Sequence, residues 1–288
     1  MWYVSFTGIV CGTLLGRRTL SGTPVVELWE GLEMAKSDAR GLISELRSRS
    51  GMTPTALRNR SGVSRATQRR IDLGESDVTF GTLRELAIAA GFDINVELRP
   101  LSDPAAASGA RALLDAAVDP RAITQEAAEW SERLLRQTSD PVTGAMHPID
   151  IITAAGHATA PRERDGALLF RGEWSDLKLA DAGIASRAPW LLSGASALAA
   201  LTDELPAPGG VGILYTADPA AVARHLVHLR PTRPSTANLI ILPLSDPVTV
   251  DSWTDGPLQF VAPVQAIIDG IGVGGTTAQM ALWIAEKW

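Results

Sequence analysis

Cysteine is almost absent from this sequence, which excludes the classes of protein that depend on it. The chain has one cysteine, Cys11, in 288 residues. It therefore has no intramolecular disulfide and no zinc site built from several cysteines. Such a content suits a reducing compartment, and we expect a cytoplasmic protein. No apolar run reaches the roughly 20 residues that span a bilayer, so we expect no membrane partner.

Histidine is also scarce, with four in the chain. His225 and His228 lie three apart on a predicted helix and could bind a metal. No nearby carboxylate or cysteine completes the ligand set, and a capping or solvent-directed pair is the preferred alternative. We therefore expect no metal and no cofactor.

Length, composition and charge favour two folding units, one of which is basic. The sequence is 45% hydrophobic and 20% charged, with a net charge of −6, as is usual for soluble globular chains. Between Lys36 and Gly74, however, nine residues are basic and three are acidic. A basic segment in an acidic protein is typical of phosphate binding, although a solvated arginine-rich face would give the same pattern.

The centre of that basic segment predicts a short helix that ends in a tight turn. Thr53 or Thr55 can cap the helix, Pro54 suits its first turn, and Leu57 is its buried anchor. Gly62 tolerates the left-handed backbone that ends such a helix.

A second helix follows at once. Ser64 is a good N-cap, the helix runs to about Leu73, and Val63 and Ile71 face the core. Helical apolar spacing predicts flanking helices that contain Leu42, Ile43 and Leu46 before the turn, and Leu83, Leu86, Ala87 and Ala90 after it, ended by Gly91. This is the layout of a helix-turn-helix, whose second helix enters the DNA major groove.

Here the sequence resembles the XRE (Cro/phage-repressor-like) helix-turn-helix family. The resemblance covers about sixty residues and is carried by Leu46, Met52, Leu57, Gly62, Val63, Ser64, Thr67, Ile71, Gly74 and Leu83–Ala87. It implies a DNA-binding domain at 34–100 and a sequence-specific regulator of transcription, a repressor of its operator DNA.

Side-chain chemistry assigns roles within this domain. If Thr67 and Ile71 face inward, the outer face of the second helix carries arginine and glutamine, which pair bidentately with guanine and adenine. The predicted base readers are Arg65, Gln68 and Arg69. The predicted phosphate contacts, which position the domain without specifying sequence, are Arg58, Arg60, Ser64, Thr67 and Arg70.

We expect residues 1–33 to be a leader that is non-native or disordered. The apolar run from Met1 to Leu15 precedes Gly16-Arg17-Arg18, the reverse of a secretory signal; a membrane-touching segment is the alternative. The codons of Trp29-Glu30-Gly31 form a purine-rich string like a ribosome-binding site, so our hypothesis is that translation starts at Met34. The intact mass of the native product tests it, and a product that contains residues 1–33 contradicts it.

Residues 92–99 alternate between apolar and polar and predict a half-exposed strand. This strand could pair with a second copy of itself, which would give a homodimer suited to two half-sites, or it could dock on its own domain. Both alternatives are open; we expect a homodimer.

The rest of the chain predicts a linker with helices at 101–145 and a mixed α/β domain at 146–288, so the fold class is α+β. Leu101–Gly109 is rich in Ser, Asp, Pro and Ala, which is typical of a linker. Further predicted elements are helical segments within 111–137, a helix at 149–155, a hairpin-like segment at 166–172, a helix at 188–201, strands at 211–215 and 238–244 with a helix at 219–229 between them, and helices at 262–271 and 276–287.

The second half gives little sign of catalysis. Gly194-Ala195-Ser196 before a strand resembles the start of nucleotidyltransferase-like folds, which need two carboxylates on that strand for Mg²⁺. The strand Val211–Tyr215 has no acid, and Asp218 follows it alone. Ser193 and Ser196 have no recognisable His–Asp partners. We therefore predict that the chain is not an enzyme, with a nucleotidyltransferase-like domain tethered to DNA as the alternative.

The same half resembles AbiEi-like antitoxins of type IV toxin–antitoxin systems. This resemblance is carried by Trp190–Ala199, Gly212–Asp218 and Phe260–Asp269 with Gly274-Gly275; we interpret Gly270–Gly275 as an interhelical loop. The resemblance to these antitoxins implies an autoregulating repressor of the antitoxin type with a cognate toxin as partner. The alternatives are a phage-type repressor without a toxin and a pure interaction protein.

Overall fold

The computed structural model describes residues 3–5, 39–73, 75, 78–202 and 209–287. The chain divides into two compact units, residues 1–99 and 100–288. As expected from the sequence, the fold class is α+β: the first unit is mainly helical, and the second combines helices with a mixed sheet.

The first unit contains the four helices that the periodicity predicts. They are α1 (Ala39–Ser50), α2 (Pro54–Ser61), α3 (Arg65–Asp72) and α4 (Phe80–Ala90). Their buried apolar residues form one cluster, which includes Leu42, Ile43, Leu46, Leu57, Ile71, Leu83, Leu86, Ala87 and Ala90. The predicted core of this unit is therefore confirmed.

A short antiparallel sheet of β1 (Tyr3–Ser5) and β2 (Asn95–Glu97) also belongs to this unit. The strand predicted at 92–99 thus pairs with its own chain, which favours the docked alternative, and the homodimer stays a prediction. Of the leader predicted at 1–33, only Tyr3–Ser5 is described. Cys11 and the start proposed at Met34 lie outside the described residues.

The second unit begins earlier than predicted, because two helices within 101–145 contribute buried residues to its core. The linker predicted at 101–109 is wrong: α5 (Pro104–Leu114) starts there, capped by Asp103, whose Oδ1 accepts from the amide of Ala105 at 3.0 Å. Ala106, Ala107 and Ala110 are buried, and α5 packs against α6 (Gln125–Thr138). The composition was misleading because small residues also suit a close helix–helix contact.

A buried arginine ties α5 to a distant part of the same unit. Arg111 is 1% exposed and donates to the carbonyl oxygens of Pro247 and Val250, both at 2.7 Å. Its guanidinium also pairs with Asp115 at 2.8 Å. These bonds satisfy a charge that would otherwise be costly to bury.

The remaining elements build a seven-stranded sheet with helices packed against it. In chain order they are α7 (Pro148–Ala158), β3 (Leu168–Arg171), α8 (Asp176–Ser186), β4 (Trp190–Gly194), α9 (Ala195–Leu201), β5 (Gly212–Thr216), α10 (Pro219–His225), β6 (Arg230–Pro231), β7 (Leu239–Pro243), α11 (Asp246–Thr249), β8 (Trp253–Asp255), β9 (Leu258–Phe260), α12 (Pro263–Val273) and α13 (Gly275–Ala285). The strand order is β6-β3-β7-β5-β4-β9-β8, in which β5–β7 and β4–β9 are parallel and the other pairs antiparallel.

Three predicted elements of the sheet region are wrong or too long. The helix predicted at 219–229 ends at His225. The helix predicted at 188–201 is strand β4 followed by helix α9, and the hairpin predicted at 166–172 is the single strand β3, which pairs with β6 and β7. All five residues of β4 are buried. A strand covered on both faces is a continuous apolar run, which periodicity cannot distinguish from a buried helix.

Helix α12 is central to the unit, since nine of its eleven residues are buried. The interhelical loop predicted at 270–275 is shorter than expected: Gly270 and Gly272 lie inside α12, and Gly274 alone separates α12 from α13. A Cβ at Gly270 would come within 2.8 Å of Ala281, so glycine allows the two helices to approach. No helix among the described residues is both long and apolar enough to cross a membrane.

Candidate functional site

Helix α3 is held in place by its cap and by its buried face. Gly62 ends α2 with a φ of 70°, and its amide donates to the carbonyl of Arg58 at 3.1 Å. Ser64 then caps α3, its Oγ accepting from the amide of Thr67 at 3.1 Å. Ile71 packs in the core. The local signals in the sequence therefore predicted this turn correctly.

The predicted position of Gln68 is wrong. Gln68 is 5% exposed, and its Nε2 donates to the carbonyl oxygen of Pro54 at 3.2 Å. The amide thus braces α3 against the start of α2 and does not lie on the outer face. Gln68 and Ile71 lie three residues apart on one helix face, and this pair sets the inward direction of α3.

The opposite face of α3 is exposed and basic. Arg65, Ala66, Arg69 and Arg70 are all exposed. Ala66, Arg69 and Arg70 stand at spacings of three and four, so they share one face, and Arg65 is one turn before Arg69. Arg70, which the sequence suggested as a phosphate contact, therefore lies as far outward as Arg69.

The other predicted phosphate contacts flank this face. Arg60 and Ser64 are exposed, whereas Arg58 and Thr67 are half-buried. The hydroxyls of Ser64 and Thr67 lie 2.9 Å apart and bond to each other. A phosphate oxygen would have to share these hydroxyls with the cap.

Ion pairing leaves the arginines of this surface uncompensated. Within residues 39–73 both acids are paired: Asp72 with Arg47 at 2.8 Å and Glu45 with Arg49 at 2.6 Å. The first pair also links α1 to the end of α3. Among the described residues no carboxylate lies within ion-pair distance of Arg58, Arg60, Arg65, Arg69 or Arg70, so their charge is available to an external anion.

A substitution can distinguish the role of Gln68 in bracing α3 from a role in recognising DNA bases. We expect Gln68→Met, which keeps the side-chain length and removes the donor, to lower the free energy of unfolding by about 1 kcal/mol. Its preference among DNA sequences should not change. Urea unfolding and binding to a panel of single-base DNA variants measure the two effects. Gln137→Met makes the same change at an exposed site of α6; a changed base preference for Gln68→Met alone would contradict the bracing role.

The second unit contains a buried polar cluster that the sequence did not predict. The carboxylate of Asp269 on α12 accepts from Ser193 Oγ at 2.6 Å, from Tyr215 OH at 3.0 and 3.1 Å, and from Gln265 Nε2 at 3.0 Å. Arg164 Nη1 in turn donates to Tyr215 OH at 3.0 Å. A usable signal was present: Gln265 and Asp269 are polar residues four apart in an otherwise apolar helix.

Burial governs the protonation of this cluster. Desolvation raises the pKa of the Asp269 carboxyl, and the charge of Arg164 together with the hydrogen bonds of the cluster opposes that rise. Desolvation and the neighbouring Asp269 raise the pKa of Tyr215. Ser193 lies at a carboxylate but is wholly buried, so no substrate can reach its hydroxyl.

The other predicted chemical groups are separate. Asp218 caps α10, its Oδ1 accepting from the amide of Ala221 at 2.8 Å. Ser196 is buried, and the carboxylate of Asp176 lies beside it. His225 and His228 are both exposed, but the prediction that they share a helix is wrong: α10 ends at His225, and His228 lies in the turn after it. Among the described residues, no group of three or more histidine, cysteine or acidic side chains is arranged to hold a metal ion.

Comparison of the chain with protein-family models, with curated proteins and with solved structures finds no match.

Proposed function

We propose that this chain is a sequence-specific DNA-binding regulator of transcription that represses its own operon in the cytoplasm. The observation that carries the proposal is the exposed face of α3, whose arginines have no carboxylate partner among the described residues. A rigid helix that presents unpaired guanidiniums suits the major groove, where arginine recognises guanine. The resemblance of this segment to the XRE family adds support.

The base readers in this proposal are Arg65, Arg69 and Arg70. Arg70 takes the place of Gln68, because Gln68 is buried and bonded to Pro54. Ala66 lies between the arginines on the same face, and its methyl group suits a contact with the methyl of thymine. Arg58 and Arg60 neutralise phosphates, and the hydroxyls of Ser64 and Thr67 add polar contacts there.

The second unit is, in this proposal, the part that meets a partner. The resemblance to AbiEi-like antitoxins favours a cognate toxin as that partner, and two DNA half-sites would be met by a homodimer. Both statements extend the DNA-binding proposal and are not needed for it.

Fluorescence anisotropy with the full chain tests the proposal. We expect tighter binding to the duplex from its own promoter than to a scrambled duplex of equal length, with a steep dependence on salt for both. Arg65→Ala should weaken promoter binding, whereas Arg224→Ala, an equal charge change at an exposed site of α10, should not. Equal affinity for both duplexes at every salt concentration would contradict sequence-specific recognition.

A further inference from the structure

The second unit has an open cleft at the carboxyl ends of two central strands of its sheet. The strands β5 and β7 are parallel, and the cleft lies where both end, beside Tyr215 and Pro243–Ser245. Its volume is about 250 Å³, comparable to that of roughly eight water molecules in the liquid. The carboxyl ends of parallel strands are a usual place for ligands in α/β sheets.

A half-buried guanidinium with spare donors lines this cleft. Arg164 donates Nη2 to the carbonyl of Thr159 at 2.8 Å and Nη1 to Tyr215 OH at 3.0 Å. Its Nε is buried and has no hydrogen-bond partner among the described residues. A guanidinium carries five N–H donors in a fixed plane, so Arg164 keeps donors beyond those two bonds in a geometry that matches a carboxylate.

The charges around Arg164 restrict what it can bind. The carboxylates of Asp269 and Asp103 act on its charge, and Asp165, an exposed residue, lines the same cleft. A phosphate or another multiply charged anion would therefore meet a net negative surrounding. A ligand with no net charge would not add to that repulsion.

Asp165 supplies a negative charge to the same cleft. No ion pair joins Arg164 to Asp165 in the described part of the chain, so the two charges stand apart and face the same space. Pro243, Leu244 and Val248 form an apolar wall beside them.

We propose that this cleft binds a free α-amino acid, with the ligand carboxylate at Arg164 and its ammonium group at Asp165. The apolar wall receives a small side chain. Each charge of the ligand then meets a charge of opposite sign, which a simple carboxylate or a simple amine cannot achieve.

The test uses the full chain with tyrosine labelled by ¹³C at Cζ. The chain has two tyrosines, Tyr3 and Tyr215, so Tyr215→Phe assigns the signals. The common α-amino acids are titrated one at a time, beside acetate, methylammonium and inorganic phosphate. We expect at least one amino acid to shift the Tyr215 signal in a saturable way and leave the Tyr3 signal unchanged.

Substitution of the two charged residues completes the test. Asp165→Asn should weaken binding by about tenfold or more, and Glu163→Gln, an exposed neighbour outside the cleft, should not. Arg164→Lys should also weaken it. The proposal is overturned if no amino acid shifts the Tyr215 signal, or if acetate or phosphate binds as well and Asp165→Asn has no effect. No DNA is present, so the outcome is independent of the proposed repressor activity.

Discussion

Asp269→Ala is expected to lower the free energy of unfolding of the second unit by about 3–5 kcal/mol. The substitution removes one of the negative charges that act on Arg164. It also removes the acceptor of three buried donors, on Ser193, Tyr215 and Gln265. Denaturant unfolding followed by tryptophan fluorescence measures the loss, because six of the eight tryptophans lie at or beyond position 130. Asp181→Ala, at an exposed site of α8, is the matched control. A loss no larger than the control's would contradict an essential role for the cluster.

Asp269→Asn keeps a hydrogen-bond acceptor at this position and removes the ionisable carboxyl group. Burial raises the pKa of Asp269 above its ordinary value of 3.8, so the folded state holds this proton more tightly than the unfolded state does. Between pH 3.8 and the raised pKa, the wild type should therefore lose stability relative to Asp269→Asn as pH rises. Above the raised pKa the difference should be constant. A difference that does not vary with pH would show that the pKa of this carboxyl is the same in the folded and unfolded states.

The second large effect is expected on DNA recognition, from Arg69→Ala and Arg70→Ala. Each substitution should reduce the discrimination at one base pair of the operator by about 1–3 kcal/mol, because each removes a bidentate contact to guanine. Binding of each variant to a complete panel of single-base operator substitutions measures this. The affected base pairs should differ between the two variants, since the side chains are adjacent on the helix.

Phosphate-contacting residues should behave differently in the same assay. Arg58→Ala and Arg60→Ala should weaken binding to every duplex by a similar factor and reduce the slope of log affinity against log salt by about one. Arg224→Ala again controls for net charge. If Arg70→Ala gives this uniform pattern, Arg70 is a phosphate contact, as its sequence alone suggested, and the reading face is limited to Arg65 and Arg69.

The helices of the first unit could be predicted because local chemistry determines them. The caps at Thr53 and Ser64, the left-handed glycines at 62 and 91, and the apolar spacing of α1 and α4 all act within a few residues. Such signals are present in the sequence whatever the rest of the chain does. A local signal was also available at Asp103-Pro104, where α5 begins, but the linker-like composition outweighed it.

The tertiary structure decided where polar side chains point and which strands the sheet contains. Gln68 is polar and was predicted to face outward, yet its amide bonds to Pro54, fourteen residues earlier. Asp269 bonds to Tyr215, which is 54 positions earlier in the chain, and to Ser193, which is 76 positions earlier. A single sequence shows no pairing over such separations. The strand β4 is buried along its whole length and, apart from Ser193, has no polar side chain, so only its partners in the sheet distinguish it from a helix. The sequence by itself determined the helix-turn-helix and its charge, because those depend on neighbours along the chain. The buried polar cluster and the cleft at Arg164 depend on neighbours in space, and only the folded chain brings these together.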